Sequence, residues 1–93
     1  MPLLSKEHLE TSMSRVPGWR VVAGELVRTF QFADFRAALG FVNQVGELAE
    51  AAGHHPDIDI RYNKVRLGLV SHDAGGLTEK DFNLAAQIDP LAR

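Results

Sequence analysis

Two of the chain's four histidines are adjacent: His54 and His55 follow Gly53 and precede Pro56. An imidazole can both give and take a proton near neutral pH, so a pair placed against one ligand can do acid and base work together. Pro56 disfavours helical backbone at His55. Adjacent side chains on non-helical backbone diverge, so the two rings are expected to do different jobs. Glu50 lies four residues before His54, about one helical turn back. Its carboxylate can accept a hydrogen bond from a ring nitrogen and fix the tautomer. His72, Asp57 and Asp81 are the other groups of suitable type. His8 stands apart in the first predicted helix and is read as a surface residue.

Three chemistries fit such a set. Three histidines and a carboxylate can ligate zinc or iron. Neighbouring histidines do not easily point at one ion, however, and the spacing matches no H-E-x-x-H site. The second reading is acid–base catalysis without a metal. The third is a structural polar network, in which Asp81 serves only as a helix cap.

Each reading needs distant residues brought together, and the pattern of elements supplies a way. Ser5 caps a short first helix, with Leu4 stapled against Leu9, and Pro17-Gly18 ends that region. "WRVVA" and "LVRTFQF" read as strands with Gly24-Glu25 between them. Leu26, Arg28, Phe30 and Phe32 share one parity, and Arg28 is expected near an edge with its charged tip in water. Asp34 caps a long helix running to about Ala52, and Gly53 terminates it. That helix carries two apolar stripes: Phe35, Leu39, Val42 and Ala49, then Phe41, Val45, Leu48 and Ala52. Two stripes exceed what one side of a small sheet needs, so the helix is expected to touch its own sheet and also a partner subunit; the alternative is a broad core face in a monomer.

"DIDIRY" alternates, with Ile58, Ile60 and Tyr62 on one side; "VRLGLV" alternates as well, with Val65, Leu67 and Leu69 together. Asn63-Lys64 is expected to turn between them. If these strands form an antiparallel hairpin, His54-His55 and His72 come to the same edge of the sheet. "SHDAGG" is a loop. Thr78 and Asp81 resemble a capping box opening the last helix, with Phe82, Ala85, Ala86 and Ile88 buried and an end at Pro90. The expected fold class is α+β: helix-β-β-helix-β-β-helix, an antiparallel four-stranded sheet with helices on one face.

Composition bounds the function. The chain has 93 residues, a net charge of −2 with histidines neutral, and 45% hydrophobic residues. A single domain over residues 1–93 is expected. No basic run offers itself to a phosphate backbone, so no nucleic-acid partner is expected. No apolar stretch approaches the roughly 20 residues of a membrane span, so no membrane partner is expected either. The first residues, "MPLLSKEHLE", do not read as a secretory signal. Cysteine is absent, which excludes disulfides and thiolate chemistry and suits a reducing cytoplasm.

Glu50-x-x-x-His54-His55-Pro56, then Tyr62, His72 and Asp81, together with "YNKV" and "GLTEKDFNLA", resemble the pterin-4a-carbinolamine dehydratase family, also called 4a-hydroxytetrahydrobiopterin dehydratases. The resemblance covers residues 19–88. It implies removal of water from a 4a-hydroxy-tetrahydropterin to give quinonoid dihydropterin, which supports pterin recycling after aromatic amino acid hydroxylation. It implies His54, His55 and His72 as catalytic, with His54 and His72 the proton-transfer pair and His55 binding the pterin's polar edge or supporting the transfer. Glu50 orients a histidine, and Asp81 combines capping with support for His72. Pro56, Asp57 and Ile58 line the pterin, although some members carry tryptophan where Ile58 stands, and isoleucine cannot stack. No metal and no cofactor are implied, the pterin being the substrate. The resemblance also implies a homodimer or homotetramer built through the long helix. The alternative is a non-catalytic relative acting as an assembly or dimerisation protein.

Overall fold

The computed structural model describes residues 2–92, so Met1 and Arg93, the ends of the expected domain, lie outside the described residues. The elements run α1 (Lys6–Met13), β1 (Arg20–Val22), β2 (Glu25–Gln31), α2 (Phe35–Ala52), β3 (Asp57–Arg61), β4 (Lys64–Leu69) and α3 (Glu79–Ile88), with a 3-10 turn at Asp89–Ala92. This is the expected α+β order. The four strands lie β1-β2-β4-β3, and every neighbouring pair is antiparallel. The two hairpins meet through β2 and β4, and α2 joins them.

Alternation in the central strands builds the core. Leu26 and Phe30 of β2 and Val65, Leu67 and Leu69 of β4 are buried against Ala38, Phe41 and Val45 of α2 and Phe82, Ala85 and Ile88 of α3. Burial of the Val, Leu, Ile and Phe side chains among these contributes about 1.5–3 kcal/mol each. On α2 the second apolar stripe faces this core through Phe41 and Val45, while its Ala52 is exposed. Of the first stripe, Ala49 is buried, but Phe35 and Leu39 are 47% and 39% exposed.

Several local expectations are corrected. The first hairpin turns at Ala23-Gly24, since Val22 pairs with Glu25. Both turn residues have positive φ, 52° and 79°, matching the twist of a tight hairpin. The second turns at Tyr62-Asn63, since Arg61 pairs with Lys64. Tyr62 takes the left-handed φ of 54°. Asn63 is held by exchanging hydrogen bonds with Phe32: its side-chain amide donates to the Phe32 carbonyl, and the Phe32 N–H donates to its carbonyl, each at 2.8 Å. Arg28 lies on an inner strand. Its guanidinium donates to Asp89 at 3.0 Å and covers the Phe30 ring at 4.5 Å. Pro90 ends α3 yet sits within the 3-10 turn that carries Asp89 to this contact.

Candidate active site

His54 is placed by the way α2 ends. Gly53 has φ 62°, and its N–H donates to the Glu50 carbonyl, while the His54 N–H donates to the Ala49 carbonyl. This pair of bonds is a Schellman closure, which satisfies the helix's last carbonyls and leaves the chain turning sharply away. His54 therefore sits directly after the end of the helix, and Pro56 leads directly into β3.

The second hairpin does the rest. Asp57 pairs with Gly68, so the start of β3 lies beside the end of β4. Beyond Leu69 the chain closes a loop in which Ser71 bridges to Gly76 and accepts from the Ala74 and Gly75 N–H groups. His72 lies in this loop with an exposed side chain. Ser71 continues the inward parity of Val65, Leu67 and Leu69, and it is buried.

Asp81 connects the two ends. Its side chain is fully buried, and its Oδ1 lies 2.6 Å from Nε2 of His54, itself only 11% exposed. Asp81 Oδ2 accepts from Ser71 Oγ at 3.0 Å and from the Thr78 N–H at 2.8 Å. One carboxylate thus completes the capping box of α3, fastens the residue next to His72, and faces His54. The expected support for His72 is corrected: the ring that Asp81 meets is His54.

Glu50 does face a histidine, and the structure decides which one. Its Oε2 lies 2.5 Å from Nε2 of His55, not from His54, because the Schellman turn carries His54 away from the last turn of α2. This second pair is in solvent, with His55 61% and Glu50 77% exposed. The two adjacent rings therefore have separate carboxylates and very different surroundings, as diverging side chains require. Among the described residues, no group of three or more His, Asp or Glu side chains is arranged to hold a metal ion.

Every buried side-chain nitrogen or oxygen among the described residues has a partner. Among the described residues His54 Nδ1 has no hydrogen-bond partner, and it is not among the buried unpaired atoms. A cavity of about 220 Å³ opens beside the ring, lined also by Ala52, Lys80, Asn83, Leu84 and Gln87. Pro56 is half-buried, Asp57 exposed, and Ile58 exposed on the edge strand opposite Leu67. A larger cavity of about 280 Å³ on the sheet, around Thr29, Arg61 and Arg66, contains none of the candidate residues. Sequence reasoning missed Ser71, and it found the Thr78 hydroxyl only as a helix cap, not as the partner of Ser71. The parity of β4, extended two residues past Leu69, was the signal for Ser71.

The fold and this cluster define an α+β protein with a histidine–carboxylate site where a hairpin returns beside a helix end. The pterin 4 alpha carbinolamine dehydratase family model matches residues 2–91, and the chain belongs to that family. The match extends beyond residues 19–88 at both ends. The chain is 58% identical over 91 residues to a protein of Acidobacterium capsulatum provisionally assigned as a pterin-4-alpha-carbinolamine dehydratase, covering 98% of this chain and 99% of that one. A similarly assigned protein of Chloroflexus aurantiacus is 59% identical over 91 residues, covering 98% of each. The crystal structure of a transcriptional coactivator/pterin dehydratase from Brucella melitensis superposes with a TM-score of 0.92 at 32% identity, covering 97% of this chain and 98% of that one. A pterin dehydratase-like protein identified as a RuBisCO assembly factor in the alpha-carboxysome gives a TM-score of 0.65 at 25% identity, covering 80% of this chain and 86% of that one.

Proposed function

We propose that the protein is a hydro-lyase that removes water from 4a-hydroxy-tetrahydropterins to form quinonoid dihydropterin. Family membership carries the reaction class. The observation that carries the site is the buried Asp81, which faces His54 with one oxygen and Ser71, beside His72, with the other. A single domain over residues 1–93 carries the activity.

The substrate loses hydroxide from a carbon that also bears a ring nitrogen. Hydroxide is a poor leaving group and must be protonated as the carbon–oxygen bond breaks. The nitrogen's proton must also depart as the carbon–nitrogen double bond forms. His54 suits the removal of that proton. With Nε2 committed to Asp81, Nδ1 is the acceptor, and the buried carboxylate stabilises the imidazolium that results. His72 gives its proton to the departing hydroxide. His55, held by Glu50, binds the pterin's polar edge. Pro56, Asp57 and Ile58 line the ring on the β3 side. The proton taken by His54 and the proton lost by His72 are exchanged with solvent, so the balance is one water per turnover.

The decisive experiment is a dehydration assay on chelated, metal-stripped protein. Wild type accelerates carbinolamine breakdown, and His54→Ala and His72→Ala each lower kcat by at least about a hundredfold without loss of fold. Unchanged rates in both variants defeat the mechanism. A pH–rate profile that is flat between roughly pH 5 and 8 removes histidine as the rate-controlling acid or base.

The partner is a small-molecule pterin together with further copies of this chain, docked through the exposed Phe35–Leu39 side of α2 as a homodimer or homotetramer. Among the described residues no helix is long and apolar enough to cross a membrane. The reading places the protein in the cytoplasm, with no nucleic-acid or membrane partner. The likeness to a RuBisCO assembly factor favours a second reading as an assembly protein. A scaffold has little physical need for a histidine pinned to a buried carboxylate, so catalysis is preferred. A stable partner from cell extract with no pterin turnover reverses that preference.

A further inference from the structure

The hydrogen bonds behind His54 can be counted proton by proton. An ionised carboxylate only accepts. Ser71 has one hydroxyl proton, and it goes to Asp81 Oδ2 at 3.0 Å. In the 2.8 Å contact between the Ser71 and Thr78 hydroxyls, Thr78 must therefore be the donor. Thr78 Oγ1 in turn accepts from the Lys80 N–H at 3.3 Å. The bonds run in one direction: first turn of α3 to Thr78, Thr78 to Ser71, Ser71 to Asp81. Ser71, Thr78 and Asp81 are all buried, so water does not substitute for a missing member. Asp81 is left with Oδ1 as an acceptor, and His54 must meet it with a proton on Nε2.

We infer that Ser71 is a positioning residue for the reaction: its hydroxyl orients Asp81, which holds His54 as the Nε2–H tautomer and keeps Nδ1 open to the substrate. The inference rests on the catalytic reading of His54. It assigns Ser71 no contact with the pterin. Ser71 acts through Asp81, and the same anchor fixes the backbone from which His72 projects. Chains of aligned hydrogen bonds polarise one another in a buried setting, so the middle member matters beyond its own bond.

The test compares Ser71→Thr with Ser71→Val, two side chains of the same shape that differ by the hydroxyl. Ser71→Thr keeps kcat within about twofold of wild type, while Ser71→Val lowers it about tenfold, the scale of one hydrogen bond to a charged group. KM stays nearly constant in both, because the pterin is not touched. Ring nitrogen-15 spectra of neutral His54 show the Nε2–H form in wild type and Ser71→Thr, and a mixture of tautomers in Ser71→Val. Equal kcat and equal spectra in the two variants overturn the inference. If Ser71→Val does not fold, the native chain decides: a neutral His54 carrying its proton on Nδ1 overturns it, and one carrying it on Nε2 upholds it. Full turnover in His54→Ala defeats the catalytic reading instead, and the spectra still judge Ser71.

Discussion

At the scale of single residues, the two adjacent histidines separate by environment. His54 is mostly buried on a buried carboxylate, whereas His55 and Glu50 are both largely exposed. An exposed pair contributes at most about 1 kcal/mol. Glu50→Gln is therefore expected to leave thermal unfolding unchanged, and to lower turnover only modestly because the amide oxygen still accepts from His55. Calorimetry and the dehydration assay check both halves, and a loss as large as that of His54→Ala would move the chemistry to His55. Glu50's partner was not legible in the sequence. A four-residue spacing points to His54 only if the helix continues, and the Schellman closure ends it first. Asp81 was legible as a cap, but its second oxygen's duty was not.

At the scale of elements, one glycine decides where the site begins. Gly53 at φ 62° lets α2 stop and lets the His54 N–H return to Ala49. A side chain there is strained by the left-handed backbone, although no neighbouring atom stands in its way. Gly53→Ala is expected to destabilise the protein by about 1–2 kcal/mol and to lower turnover further by displacing His54. Urea unfolding measures the first effect, and unchanged stability would mean that α2 can end another way. Strand and helix periods were readable because a half-buried element must repeat its apolar residues. The two turns were each misplaced by one residue, since Ala23 and Tyr62 take left-handed conformations that their types do not announce.

Across the whole molecule, Asp89 ties the turn after α3 to the region of the first two strands. It accepts from Trp19 Nε1 at 2.7 Å and from Arg28 at 3.0 Å, so the turn after α3 is fastened to the first hairpin. Asp89→Ala takes this acceptor from both donors and is expected to cost about 1–3 kcal/mol, read as a lowered urea midpoint with turnover per folded molecule preserved. A normal midpoint would show that water replaces the carboxylate. The other molecular-scale feature is the apolar stripe left uncovered on α2, where Phe35 and Leu39 remain exposed. Leu39→Glu is expected to reduce the mass seen by light scattering to that of a monomer. A wild-type monomer removes α2 as a subunit interface.

By itself, the sequence determined the order of elements, the inward residues of β2, β4 and α2, the caps Ser5, Asp34 and Thr78, and the family. These are local matters: periodicity, capping and motif spacing are set by neighbours along the chain. Only the tertiary structure decided that Asp81 faces His54, that Glu50 turns to His55, that Ser71 is bonded to Asp81, and that Asp89 holds Trp19 and Arg28. Each of these follows from where a turn ends and where a hairpin's register returns the chain. A shift of one residue in either would send every such side chain elsewhere.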